Sequence, residues 1–349
     1  MSVATYAFVS ARIGAMRSHL LDEGEVKSLI ETTSAEDVIS VLKDTGYGKE
    51  LGKIPSPGLR DVEEVLTRSL LRDYEKILTS VGGATRKFIE KIGTRFEISA
   101  VKTIALMKVL EVPREKAEEH SLMPFGRITK LRLAKMLETE TVEEFVESMR
   151  DTEYYESLQK GLLRFKQDKT PLAFIAALDD YVYSNIISSA KNLPGRDKKL
   201  VKKLIGPEID TKNLMLVLRC RELDEERVWE LLLKDRYKLD DSILRTGMSE
   251  NLEALVSEQF PYRKYTSPGM TAYKEKGSLL GFEKGMKRHI LDLNKSMFYG
   301  DRFHIGALIG YLNLKENEVR NLMAILKGKD EKLSTDDIGK LIILPTQTA

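Results

Sequence analysis

The chain is almost without cysteine: Cys220 stands alone among 349 residues. No intrachain disulfide can form, so stability has to come from packing, and a reducing compartment is the expected setting. Long apolar runs are missing too. No stretch approaches the ~18 residues of a membrane-spanning helix. The opening MSVATYAFVSARIG has no apolar core and no cleavage site, so neither a transmembrane segment nor a signal peptide is expected. Nor does one sign of charge prevail. Fifty-six basic and 54 acidic residues leave a net +2, which exerts no general pull toward nucleic acid. β-Branched runs are short, while Leu, Glu, Lys, Ala and Met dominate. That balance excludes a sheet-rich fold and favours an all-α protein.

The constellations of an enzyme are wanting as well. There is no G-x-x-x-x-G-K-[ST] phosphate loop, which argues against P-loop nucleotide binding. His19, His120, His289 and His304 have no neighbours at metal-ligand spacing and are expected at surfaces or interfaces. The paired carboxylates Asp179-Asp180, Asp240-Asp241 and Asp336-Asp337 come nearest to the magnesium-holding helices of prenyl-transfer enzymes. Tyr183, Leu244 and Lys340 stand where a third aspartate would be needed, so helix caps and solvated faces are the expected roles. No catalytic, metal or cofactor-binding residue is assigned. The basic run Arg196, Lys198, Lys199, Lys202 and Lys203 lacks interleaved aromatics, so it is expected as a solvated helix end rather than a nucleic-acid or lipid patch. Trp229 lies on an apolar stripe and is expected in the core.

What the chain has is a repeat. Residues 26–51 reappear without a gap at 133–158, with seven identities, Glu31/Glu138, Thr32/Thr139, Glu36/Glu143, Asp44/Asp151, Thr45/Thr152, Tyr47/Tyr154 and Leu51/Leu158. Chance would give roughly one or two. A weaker third copy lies at 243–256. In each copy an apolar i, i+3, i+4 stripe marks a helix (Val38/Val41/Leu42 in the first). Ser34 and Thr141 stand before these helices with Asp37 and Glu144 three residues on, a capping pattern worth roughly 1 kcal/mol. The third copy has Met248 at the cap position, with Ser249 as the substitute cap.

A second element also recurs, at 97–106, 210–219 and 318–327. Each begins with an acid, Glu97, Asp210 or Glu318, expected at a helix N-terminus where it opposes the positive end of the dipole. Asn213 and Asn321 follow in two copies and Ala100 in the other. Asp73-Tyr74 and Asp180-Tyr181 stand inside long helical stretches, and Tyr47, Tyr154 and Tyr262 are expected between helices. Joints are expected at Ile92-Gly93 and Leu204-Ile205-Gly206, breaks at Pro55–Gly58 and Leu193–Gly195, a loop over 260–281, and fraying from Pro345. The implied domains are 1–94, 95–207 and 208–349, with 318–349 a partial fourth unit expected to close onto the first.

The opening Tyr6-Ala7-Phe8-Val9-Ser10-Ala11-Arg12 with Leu20-Leu21, the recurring acid-led helix and the three-copy plan resemble the C subunits of the archaeal and bacterial V/A-type rotary ATP synthases, a family that includes the d subunits of vacuolar ATPases. That resemblance covers the whole chain. It implies three similar helical domains in pseudo-threefold, funnel- or socket-like array, no cofactor and no catalysis. It also implies a peripheral place on the cytoplasmic face of the membrane, joining the proteolipid ring to the central stalk. Apolar and small residues would meet the ring and polar groups would line the socket; no individual partner-binding residue is specified. The alternative, from a different class, is a general helical-repeat scaffold for other proteins.

Overall fold

The structure, a computed structural model, describes residues 3–113, 125–126, 128–248, 252–257 and 260–346. It is all-α: among the described residues the one extended pairing is an isolated antiparallel bridge, Phe125 to Ile128. The chain divides into two compact units. One joins the residues up to Gly82 with those from Lys284 onward; the other is Gly83–Glu283.

In the first unit the short helices Glu23–Glu31, Ala35–Leu42 and Gly48–Leu51 precede the long Leu59–Leu78 helix. Asp22 and Ser34 accept from the third-residue amides of the two helices they precede, and Glu25 and Asp37 reach back to the cap amides. These reciprocal boxes satisfy donors that the first helical turn leaves free. Val62, Leu66, Leu70, Tyr74 and Ile77 form the buried stripe of Leu59–Leu78. Against it lies the Ile305–Asp330 helix, which also packs on Val3–Arg17, Ala35–Leu42 and the short Thr335–Leu341. Buried positions run around most of its circumference, as expected of a helix enclosed on several sides. His304 caps it, its Nδ1 accepting from the Ala307 amide at 3.2 Å.

In the second unit the Leu172–Ala190 helix is central. It packs on Gly83–Val109, Tyr155–Asp168 and Gly195–Arg219. Thr141 caps Val142–Glu147, in agreement with its spacing. Three helices, Gly83–Val109, Gly195–Arg219 and Ile305–Asp330, have nearly the same length, 27, 25 and 26 residues. They carry the recurring 97/210/318 element.

Several expectations need correction. Ile92-Gly93 and Leu204-Ile205-Gly206 are not joints but helix interiors, and buried. Gly206 is there for approach: a Cβ would come within 2.4–2.8 Å of the Tyr237 ring. Glu97, Asp210 and Glu318 stand well inside their helices rather than at the start. The last long helix therefore begins at Ile305 and not at Glu318. Residues 260–281 hold the Arg263–Lys276 helix, and Leu280–Ser296 starts within them. Their apolar period is faint because the contact is made by backbone: a Cβ on Gly269 would lie 2.6 Å from the Gly281 carbonyl carbon. The second short helix of the third copy is a 3-10 turn, Leu252–Val256; Ser249 lies outside the described residues. The tail is held at Leu344, whose carbonyl accepts from Arg288 at 3.3 Å, and at Thr346, whose amide donates to Asp292 at 2.6 Å.

Candidate functional site: recurrent tyrosine–carboxylate joints

Two of the three long helices carry their acid inward, to a tyrosine of the short-helix repeat. In the first unit Tyr47 donates its hydroxyl to Glu318 Oε1 at 2.6 Å, and the Leu21 amide donates to Oε2 at 2.5 Å. Lys315 completes the cluster, 2.9 Å from Glu318, 2.7 Å from the Tyr47 hydroxyl oxygen and 4.2 Å above the Tyr47 ring. Both members of the ion pair are 6% exposed in their side chains, so the tyrosine and the backbone donor supply what water would otherwise give. A second tyrosine, Tyr311, donates to Asp73 at 2.5 Å.

In the third copy Asp210 takes the carboxylate's place. It accepts from the amides of Tyr237 and Lys238 at 2.9 and 2.8 Å and from the Tyr262 hydroxyl at 2.5 Å. Burial pushes its carboxyl above the ordinary range although all three bonds oppose the shift. In the second copy Glu97 lies against the loop before Lys130–Glu138, where a Cβ on Gly126 would run into its carboxylate. Gly126 has φ +56°, a second reason for glycine there. The matching Tyr154 is buried and meets Tyr181 edge to face, 5.9 Å between centroids.

Two further fastenings repeat. Lys329 donates to the carbonyls of Ile30 and Thr32, and Lys108 to those of Leu137 and Thr139. Each ammonium thus closes the C-terminal end of a short helix, where free carbonyls and the dipole both favour a cation. Asn213 grips both backbone groups of one residue with the two ends of its amide, donating to Leu233 O at 3.0 Å and accepting from Leu233 N at 2.8 Å. Asn321 does the same to Ile343, at 2.9 and 3.1 Å.

The residues weighed for chemistry go elsewhere. Asp179 is neither cap nor solvated: it is buried and paired with Lys102 and, at 3.0 Å, Lys212. Burial, reinforced by the Lys212 charge, draws the Lys102 ammonium down from its ordinary range. Asp240 accepts from the Ile243 amide at 3.0 Å, Asp336 and Asp337 sit in the first turn of Thr335–Leu341, and Ser334 caps it. His19 is exposed, His289 half-buried, and His120 lies outside the described residues. Among the described residues no three His, Cys, Asp or Glu side chains form a metal-binding group. Trp229 is half-buried, not core, lying between the guanidinium groups of Arg236 and Arg245 at 5.9 and 4.7 Å. The lysines of 198–203 are exposed near the N-terminus of Gly195–Arg219.

The sequence did contain a signal for the joints: a tyrosine and an acid each recur on otherwise apolar faces. It did not show that the two recurrences meet, as they do in the first and third copies.

A chain of recurring helical units fastened by polar joints is a helical-repeat protein. The model of the ATP synthase (C/AC39) subunit family matches residues 9–341. The C subunit of the A-type ATP synthase of Methanocaldococcus jannaschii is 30% identical over 98% of this chain and 87% of its own length. Its namesakes in Pyrococcus furiosus and Methanosphaera stadtmanae are 25% and 23% identical, over 97% and 94% of this chain and 90% and 85% of theirs. The chain belongs to the ATP synthase (C/AC39) subunit family, as its opening and its repeats implied. Among the described residues no helix is long and apolar enough to cross a membrane.

Proposed function

We propose that this chain is a non-catalytic central-rotor subunit of an A/V-type ATP synthase. It couples the proteolipid ring to the central stalk, so that ion flow drives rotation and ATP synthesis, or hydrolysis drives the reverse. It sits on the cytoplasmic face of the membrane, held there by the ring, and needs no cofactor. In this reading the expected three domains, 1–94, 95–207 and 208–349, are one helical motif used three times, with neighbouring copies sharing the Gly83–Val109 and Gly195–Arg219 helices.

Membership of the family carries this reading. The recurring joints support the mechanical part. A part that transmits torque must not yield internally, and a buried carboxylate with two or three donors fixes one register of helix on helix. Close packing of the surrounding apolar stripes adds stiffness. The load would pass through distributed surfaces, each above ~1,000 Å².

The test is reconstitution. With this chain present, detergent-solubilised ring and stalk proteins should co-purify, and ATP hydrolysis should drive ion transport. Without it, hydrolysis by the catalytic head should continue and transport should cease. A chain that binds neither ring nor stalk would be a scaffold for other proteins.

A further inference from the structure

The recurring element puts Gly83–Val109, Gly195–Arg219 and Ile305–Asp330 in one register, in which Glu97, Asp210 and Glu318 coincide. Two positions a turn apart near the start of these helices change character. They are Thr85 and Ile89 in the first helix and Gly306 and Gly310 in the last, and all four are buried. At Gly310 the packing is so close that a Cβ would lie 2.9 Å from Asn294 O. In the middle helix the same two positions hold Lys198 and Lys202, both exposed. A stripe that two copies use for internal packing is cationic in the other. Like charges one turn apart repel, so helix stability does not account for the pair.

A cavity of about 270 Å³ adjoins these lysines, within the second unit. Ile187, Val201, Ile209 and Tyr237 give it an apolar wall. Tyr237 is fixed twice, by its ring against Gly206 and by its amide, which donates to Asp210 at 2.9 Å. The shape of the wall is therefore set by the fold itself. Lys191, Lys198, Lys202 and Arg236 also line the cavity, with Asp235 the one acid among the described lining residues. Arg236 pairs with Asp241, and its Nε is buried with no hydrogen-bond acceptor among the described residues. The three lysines have no carboxylate partner among the described residues. Their methylene stems can extend an apolar wall while the ammonium groups stay in water. The basic run 196–203 is thus divided: Lys198 and Lys202 line the cavity, and Lys199 and Lys203 do not.

We propose that this cavity binds an anionic amphiphile, a phosphate or carboxylate head on an apolar chain. The chain lies against Ile187, Val201, Ile209 and Tyr237, and the head is held by Lys191, Lys198 and Lys202. A bare anion would gain nothing from the apolar wall, and an uncharged chain would gain nothing from the lysines. The volume falls just below the ~300–1,000 Å³ of ordinary ligand pockets. That suits one short chain and not a peptide helix, which is about 10 Å across. The same chemistry has two sources, a free single-chain acid or an anionic lipid of a bilayer. This inference does not depend on the rotor reading.

The experiment is a calorimetric titration of the full chain with n-octyl phosphate below its micelle concentration. Salt is held at about 150 mM, where exposed charges act over only ~8 Å. Binding should be saturable, at least tenfold tighter than that of ethyl phosphate, and absent with octylammonium. Lys198→Glu combined with Lys202→Glu should weaken it at least tenfold. Lys199→Glu combined with Lys203→Glu makes the same charge change on the same helix outside the wall, and should alter it less than threefold. Circular dichroism checks that both double variants fold. Trp229, the sole tryptophan, lies 5.9 Å from the Arg236 guanidinium, so its fluorescence should change along the same binding curve. Phosphatidylglycerol vesicles that bind the chain, and fail to bind the Lys198/Lys202 variant, assign a bilayer lipid; octyl phosphate binding without vesicle binding assigns a free amphiphile. No saturation, ethyl phosphate binding as tightly as octyl phosphate, or equal losses in the two double variants would overturn the proposal. So would binding of poly-glutamate without binding of octyl phosphate, which would assign an acidic peptide instead.

Discussion

Tyr47 and Glu318 are 271 residues apart in sequence and 2.6 Å apart in space, phenol donating to carboxylate. The pair ties the first short helices to the last long one, and Lys315 makes it a triad. Because all three groups are buried, what matters is the cost of leaving one of them without its partner.

Tyr47→Phe should therefore lower unfolding stability by about 1–3 kcal/mol, since the carboxylate and the ammonium each lose a hydrogen-bond partner. Glu318→Gln should cost more, about 3–5 kcal/mol, because it strands a buried ammonium. The double variant should fall short of the sum by at least ~0.5 kcal/mol, as expected for residues in one network. Urea unfolding of the four proteins measures this; strict additivity would mean the triad does not act as a unit.

The triad also marks how far the sequence could be read. Helical content, the caps at Ser34 and Thr141 and the buried tyrosines were legible, because each rests on spacing within one element. Glu97, Asp210 and Glu318 were misplaced at helix starts because an acid before an apolar stripe looks the same whether it faces a dipole or a partner distant in sequence. Gly269 and Gly281 hid a helix contact, since backbone packing leaves no apolar period.

Asn213 and Asn321 permit a paired test. Each holds both backbone groups of one residue, but Ile343 O also accepts from Asn317 Nδ2 at 2.9 Å. Asn321→Leu therefore strands only the Ile343 amide, while Asn213→Leu strands both groups of Leu233, at about 1–3 kcal/mol per group. Asn321→Leu should cost about 1–3 kcal/mol on that basis and speed amide exchange at Ile343. Asn213→Leu should cost more, about 2–4 kcal/mol, and speed exchange at Leu233. Exchange that accelerates equally everywhere would show global loosening and not a local clasp.

The glycines divide by what a methyl group would meet. At Gly281 a Cβ would lie 2.5 Å from the Gly269 Cα, backbone against backbone. Gly281→Ala should cost about 1–3 kcal/mol through forced separation of the helices. At Gly14, in Val3–Arg17, nothing lies within 4 Å. Gly14→Ala should stabilise by about 0.4–1 kcal/mol, through lost freedom of the unfolded chain. Thermal unfolding curves of the two variants should shift in opposite directions; a shared direction would refute the assignment.

The buried tyrosines set the response to alkali. Tyr47, Tyr183, Tyr262 and Tyr311 all have hydroxyl pKa values raised above the ordinary 10, first by burial and then by the neighbouring carboxylates. Raised values mean that the folded chain favours the protonated phenol. The stability they carry is complete below about pH 10 and is lost as pH rises above the unfolded value. Of the 13 tyrosines, these four should stay un-ionised in ultraviolet difference spectra until helical circular dichroism collapses, and then ionise together with unfolding. Each buried phenol should steepen the loss of stability by up to about 1.4 kcal/mol per pH unit above 10. Tyr47→Phe should therefore be less stable at neutral pH yet show a shallower alkaline slope by about that amount. Smooth ionisation of all tyrosines near pH 10 with helicity intact would show that these hydroxyls are reached by water.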